Sequence, residues 1–159
     1  MTSIDVRRAA PADDLLIADL RRAWTEENHG GPVDDPGFEE RFAAWADRER
    51  DQRITWLAVA GEQPVGMLNM LVFERMPWPG QGGAVDRPGS WGYVANVYVR
   101  AEQRNAGIGA QLVAACVEHA DSNRFARIVL APSERSVPFY GRLGFRPAAD
   151  LMVRPSPHP

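Results

Sequence analysis

A predicted strand that leads through a glycine-containing turn into a helix limits most strongly how this chain can fold. Residues 91–99 are predicted as the strand, and residues 97–109 carry the chain through the turn to Gly107 and Gly109 at the helix start. The first N–H groups of a helix lack intrahelical acceptors, and the helix dipole makes this end attractive to anions. We therefore expect the turn to bind the phosphate groups of a cofactor.

Two common phosphate-binding motifs are missing from the sequence. The glycine spacing differs from G-x-G-x-x-G, and G-x-x-x-x-G-K-[ST] does not occur. All 18 basic side chains are arginine, which excludes a lysine Schiff base, a P-loop lysine and a lysine general base. Phosphate affinity must therefore come from backbone amides and from nearby guanidinium groups, for which the candidates are Arg100, Arg104, Arg135 and Arg142.

The turn and a later segment together resemble the GCN5-related N-acetyltransferase (GNAT) family. The string Arg104-x-x-Gly107-x-Gly109 is similar to the family's acyl-CoA pyrophosphate loop. Residues 133–145, with the sequence SERSVPFYGRLGF, are similar to its closing F-Y-x-x-L-G-F segment. The resemblance extends from about residue 54 to the C-terminus. The first third of the chain agrees with the family in element order only.

Hydrophobic periodicity and turn residues predict an α/β (α+β) domain over residues 1–153, followed by a disordered tail at 154–159. Predicted helices begin at Pro11, Pro36, Gly107 and Ser133. Predicted strands cover residues 4–9, 55–60, 65–73, 91–99 and 127–131, and 145–153 supplies a final strand or strand pair. The crossover helix makes 91–99 parallel to 127–131. The resemblance implies a mixed, mostly antiparallel sheet in which these two central strands splay apart, with flanking helices.

Composition excludes several classes of partner. The net charge of −3 offers no basic surface for nucleic acid, and no segment has the length or pattern of a membrane-binding helix. A single cysteine, Cys116, rules out an internal disulfide and is expected to be a small core residue. His119, near the end of the same predicted helix, is expected to be packed or to stabilise the helix dipole rather than to be catalytic. We expect a cytoplasmic protein without a metal site, and by analogy with relatives a homodimer.

The resemblance implies that acetyl-CoA is the cosubstrate. The backbone of Val97, Tyr98 and Val99 would bind its pantetheine arm as an added strand. The pyrophosphate would lie against Arg104, Asn105, Ala106, Gly107, Ile108, Gly109 and Ala110. Ser133 stands where many relatives carry an asparagine that contacts the cofactor arm, although it is equally suited to cap a helix.

Catalytic roles also follow from the resemblance. Tyr140 matches the tyrosine near the cofactor sulfur and could protonate the leaving thiolate, while backbone N–H groups of residues 93–99 would stabilise the oxyanion. Many relatives carry a glutamate base where this chain has Ala95. Asn96 could orient a water molecule instead, and a water chain to bulk solvent is a further route. The remaining candidate bases, from the first helices, are Glu26, Glu27, His29 and Asp34.

The sequence predicts the acceptor site in less detail than the cofactor site. We expect Trp78, in the proline- and glycine-rich segment 74–90, to contact the acceptor together with Trp24 and Glu27. The helical spacing of Phe38, Phe42 and Trp45 is typical of a core stripe. These features favour an N-acetyltransferase acting on the primary amine of a small molecule. The alternatives are a protein or peptide N-acetyltransferase and a non-catalytic acyl-CoA sensor, the latter suggested by Ala95.

Overall fold

A computed structural model describes residues 3–80 and 89–158. In chain order it contains β1 (Ile4–Arg8), α1 (Asp14–His29), α2 (Phe38–Glu49), β2 (Arg53–Ala60), β3 (Gln63–Phe73), β4 (Trp91–Val99), α3 (Ile108–Ser122), β5 (Arg127–Leu130) and α4 (Val137–Arg142). Short 3-10 turns precede α1, α3 and α4. None of the helices in these two ranges has the length and apolar character that a membrane crossing requires.

The five strands form one sheet in the order β1-β2-β3-β4-β5. The first three neighbouring pairs are antiparallel, and β4 and β5 are parallel, as predicted. Pairing between β4 and β5 ends at Val94 and Leu130, although β4 continues to Val99. The two parallel strands therefore separate at the end of the sheet that leads into the turn.

Helices cover both faces of the sheet. On one face α3 packs Ile108, Leu112 and Cys116 against β3 and β4. Next to this layer a Cβ at Gly92 would overlap the Sδ of Met70, so any side chain at this position of β4 would displace Met70. The predicted core role of Cys116 is confirmed, because the thiol is buried and the desolvation raises its pKa to about 12. His119 is half-buried and makes edge contacts with two aromatic rings, Trp56 and Phe125.

The other face carries α1 and α2. Leu20 of α1 packs on Leu57, Met67 and Tyr98 of the sheet.

An ion pair fixes the start of α1. Arg7 donates two hydrogen bonds of 2.8 Å to the carboxylate of Asp13, and the Ala10 N–H donates a third of 2.7 Å. These bonds stabilise the ionised form and lower the pKa of Asp13 to about 2. Since α1 begins at Asp14, this contact positions the helix on the sheet.

The predicted final strand at 145–153 is wrong. No part of this segment pairs with the sheet, and beyond Phe145 it is exposed. Pro147 lacks the N–H that a ladder needs, and Asp150 instead forms a 2.7 Å ion pair with Arg127. β5 is consequently an edge strand.

Candidate active site

The turn between β4 and α3 presents a group of backbone N–H donors. Asn105 and Gly107 have positive φ angles of 62° and 80°, and α3 begins at Ile108. The Gln111 N–H bonds the Gly107 carbonyl at 3.1 Å, whereas the preceding N–H groups of the first turn have no intrahelical acceptor. No side chain in the described part of the chain caps this end of α3. The turn therefore directs backbone N–H donors outward, and a Cβ at Gly107 would point into open space.

The guanidinium of Arg104 contacts α1 as well as the turn. Its Nη atoms lie 2.7 and 2.8 Å from the carboxylate oxygens of Glu27, and its Nε donates to the Val99 carbonyl at 2.9 Å. The Tyr98 hydroxyl also donates to Glu27, at 3.1 Å. The hydrogen bond from Arg104 lowers the pKa of Glu27, so this carboxylate is ionised and already bound.

The predicted acceptor residues Trp24 and Glu27 lie beside this turn. The ring of Trp24 stacks on that of Tyr98, with centroids 5.6 Å apart and planes at 12°. Neither Trp24 nor Glu27 is among the residues that line the cavity described below. Arg100, another predicted phosphate contact, is occupied by the Pro64 carbonyl at 2.9 Å and by the carboxylate of Asp19.

A β-bulge interrupts β4 in the middle of the sheet. Asn96 is opposite Asn69, but Val94 is opposite the next residue of β3, Met70, which leaves Ala95 as the extra residue. A bulge leaves its extra residue out of the ladder and turns its backbone groups aside. The strand that the resemblance expects to bulge therefore does so, at the point where β5 also diverges.

A cavity of about 320 Å³ lies between α1, α2 and the sheet, next to this bulge. It is lined by Ile17, Arg21, Phe38, Arg41, Phe42, Trp45, Met67, Asn69 and Asn96. No residue of α2 is fully buried. The aromatic stripe predicted as core is part-buried: Phe42 packs against the core cluster formed by α1 and the sheet, and Phe38, Phe42 and Trp45 also form one wall of the cavity.

Polar groups occupy the floor and the rim of the cavity. Asn69 is only 5% exposed. Its Oδ1 accepts from Arg53 at 2.8 Å, and its Nδ2 donates to Thr55 at 2.8 Å. Arg41 donates two hydrogen bonds to the carboxylate of Asp35. Arg21 is exposed, with its Cζ 4.8 Å from the Trp24 ring centre.

Tyr140 lies on the opposite side of the sheet, in α4. Its ring makes edge contacts with Phe139 at 5.0 Å and Phe145 at 5.7 Å, and it packs against the α3 core. Burial raises the pKa of the phenol, which keeps it protonated at neutral pH. Ser133 occupies the N-cap position of the 3-10 turn before α4 without a capping side-chain bond, and its hydroxyl lies 3.1 Å from that of Ser136.

The other predicted residues lie around these sites. Trp78 is 45% exposed, with the Arg75 guanidinium 5.4 Å from its ring centre, and residues 81–88 of the same segment lie outside the described ranges. Glu26 accepts from the Val33 N–H at 3.2 Å. His29 and Asp34 are exposed and are not among the residues that line the cavity.

Sequence reasoning missed five residues of the cavity, which are Ile17, Arg21, Arg41, Met67 and Asn69. Arg21 had no signal beyond its place on α1. Met67 and Asn69 lie in a strand predicted as apolar, and only Asn69 carried a hint, since a lone amide in an apolar run requires hydrogen-bond partners when buried.

Comparisons with known proteins agree with the fold of the chain. The model of the acetyltransferase (GNAT) family matches residues 16–145. Glucosamine 6-phosphate N-acetyltransferase of Trypanosoma brucei brucei is 38% identical over 55 residues, which is 35% of this chain and 37% of that protein.

Two solved structures show the same fold. A predicted acetyltransferase from Clostridium acetobutylicum with acetyl-CoA has a TM-score of 0.72 and 17% identity, with 96% of each chain covered. An aminoglycoside acetyltransferase from an uncultured soil metagenomic sample, in complex with sisomicin, has a TM-score of 0.70 and 15% identity, with 96% of this chain and 94% of that chain covered.

Proposed function

Because this chain belongs to the acetyltransferase (GNAT) family, we propose that it transfers an acetyl group from acetyl-CoA to the primary amine of a small molecule. One observation carries the proposal: the anion-binding turn and the cavity adjoin the same strand, β4, with the Ala95 bulge beside the cavity. A cosubstrate bound along β4 would bring its acyl end to the bulge, where an amine from the cavity could reach it.

The residues present fit acetyl-CoA. The N–H groups at the start of α3 suit a pyrophosphate, and the open space at Gly107 allows a close approach. Among residues 3–80 and 89–158, no strand pairs with the β5 side of β4 beyond Val94, so Val97, Tyr98 and Val99 can offer backbone groups to an extended arm. Ser133 would contact the same arm.

Three provisions of the chain support direct transfer. Acetyl-CoA supplies an activated acyl group, and the backbone N–H groups at the Ala95 bulge are suited to stabilise an oxyanion. The protonated phenol of Tyr140 can give its proton to the departing thiolate. Asn96, which lines the cavity, can hold a water molecule that takes a proton from the attacking amine.

No carboxylate lines the cavity within the described ranges, and Glu27 is engaged by Arg104. The acceptor amine must therefore lose its proton to water rather than to a protein carboxylate. We expect kcat/KM to rise with pH until the amine itself is neutral, without a limb from an enzymic carboxyl group.

A non-catalytic acyl-CoA sensor is a second candidate, favoured by the alanine at the bulge. Both candidates need acetyl-CoA binding at the turn, but only the enzyme consumes it. The expected homodimer and cytoplasmic location stay predictions.

The test is release of CoA thiol from acetyl-CoA with a panel of primary amines, combined with a calorimetric titration of acetyl-CoA. We expect binding, and turnover that depends on the amine. Binding with no turnover for any amine would support the sensor, and the absence of binding would contradict both candidates.

A further inference from the structure

We infer that the acceptor is a primary amine with a large apolar body and one carboxylate, and that Arg21 binds this carboxylate. The inference rests on the proposed function and narrows the class of its acceptor. The lining and the rim of the cavity under α2 carry it.

The cavity wall is suited to an apolar body. Phe38, Phe42 and Trp45 follow one another along the inner side of α2, with ring centroids 6.0 and 5.4 Å apart for successive pairs. Ile17 and Met67 complete the apolar surface. An aromatic or large aliphatic group would cover these rings and carry no polar group that needs a partner. A sugar or a polyamine would instead leave hydroxyl or ammonium groups unpaired against the apolar wall.

The charges of the cavity are those of a site for an anion. Two arginines and no carboxylate line it within the described ranges. Arg41 is already neutralised by Asp35, and Arg22 outside the cavity binds Glu39. A polycationic acceptor would meet guanidinium groups where it needs carboxylates.

Arg21 is the arginine with spare hydrogen-bonding capacity. It forms no ion pair with any other residue of ranges 3–80 and 89–158, while its guanidinium stands over the Trp24 ring. Stacking on an aromatic face leaves the N–H groups at the edge of a guanidinium available for a carboxylate. Asn96 lines the cavity on the sheet side, next to the bulge. An acceptor whose carboxylate binds Arg21 can therefore place its amine beside Asn96, close to β4.

Matched pairs of acceptors test the inference. L-phenylalanine and phenylethylamine differ in one carboxylate, as do para-(aminomethyl)benzoate and benzylamine. The two carboxylate members separate the amine from the carboxylate by different distances. Spermidine represents polycations. With saturating acetyl-CoA, we expect kcat/KM to be about tenfold higher for the carboxylate member of at least one pair, and lowest for spermidine.

The variant Arg21→Gln identifies the residue responsible. It should reduce the preference for the carboxylate to a ratio of about one, whereas Arg48→Gln, on the exposed side of α2, should keep it. Titration of the same amines into the CoA complex gives a second readout that does not depend on turnover. The same preference is expected in the dissociation constants.

Three results would overturn the inference: equal use of both members of each pair, a preference for spermidine, or a carboxylate preference that survives Arg21→Gln. In each of these cases acetyl transfer would still be observed, so the proposed function would stand. Acetyl-CoA binding without transfer to any amine would instead count against the proposed function.

Discussion

The turn and the cavity next to β4 differ in the groups that form them: backbone N–H groups form the turn, and side chains form the cavity. The turn uses backbone N–H groups, two residues with positive φ and the end of one helix, all within a single stretch of chain. The cavity uses side chains from four elements, α1, α2, β3 and β4. A backbone site suits a cosubstrate that is common to a family, while a side-chain site can change its acceptor with a few substitutions.

The largest effect should come from a carboxylate in the turn. Gly107→Glu places a negative charge at the proposed pyrophosphate site, and at about 4 Å the repulsion should weaken acetyl-CoA binding about 1,000-fold. The fold should persist, since a Cβ at this position meets nothing within 4 Å. Calorimetric titration with acetyl-CoA measures the loss.

Gly144→Glu is the matched control for Gly107→Glu. Its φ of +90° imposes the same backbone strain, and a Cβ there also meets nothing within 4 Å. It lies after α4, near the edge strand β5, and should leave the affinity for acetyl-CoA within about twofold of the unmodified protein. Equal losses in the two variants would mean that strain, and not the anion site, is responsible.

Tyr140→Phe should lower kcat about 100-fold, because it removes the proposed proton donor for the leaving thiolate. Acetyl-CoA binding should change little, since the hydroxyl is the only group lost. Burial raises the pKa of this phenol above its ordinary value of about 10, so Tyr140 itself should cause no loss of kcat between pH 7 and 9. A kcat within threefold of the unmodified enzyme would remove Tyr140 from the mechanism.

Acid should weaken the side of the molecule that carries the cavity. Asp13 has a pKa of about 2 in the folded protein, against about 3.9 in unfolded chains, so its bond to Arg7 stabilises the fold above pH 4 and loses this effect as the pH falls towards 2. Asp13→Asn should cost about 1–2 kcal/mol in the free energy of unfolding at pH 7, given that Arg7 is partly exposed.

Urea unfolding at pH 7 and at pH 2.5 measures this contribution. The difference between Asp13→Asn and the unmodified protein should shrink at the lower pH, and Asp34→Asn, at an exposed aspartate, should show no such change. A difference that is the same at both pH values would show that the ionised carboxylate is not what stabilises α1.

Arg104→Gln should have the smallest effect. Its guanidinium is partly exposed and shared with Glu27, so its loss should weaken acetyl-CoA binding about threefold. A loss as large as that of Gly107→Glu would mean that the guanidinium, and not the backbone, holds the phosphates.

The two regions also differ in how far the sequence predicts them. The turn, the parallel pairing of β4 with β5 and the burial of Cys116 depend on local patterns, and the structure confirms each of them. The cavity depends on the distance between α2 and the sheet, which no local pattern encodes. For the same reason periodicity alone assigned Phe38, Phe42 and Trp45 to the core.

The error at the C-terminus has a local cause. Residues 145–153 follow a helix, as a last strand would, but Pro147 removes a ladder donor and Asp150 binds Arg127. The segment also lacks the β-branched alternation of a strand, since Val153 is its single β-branched residue.

Hydrogen exchange on adding acetyl-CoA tests most directly whether the turn binds the cosubstrate and the cavity binds the acceptor. Amides of residues 95–99 and 106–110 should be protected by acetyl-CoA, while those of α2 should change only when an acceptor amine is added to the CoA complex. Protection of α2 by acetyl-CoA alone, with no change at 106–110, would contradict the assignment of the turn to the cosubstrate and the cavity to the acceptor.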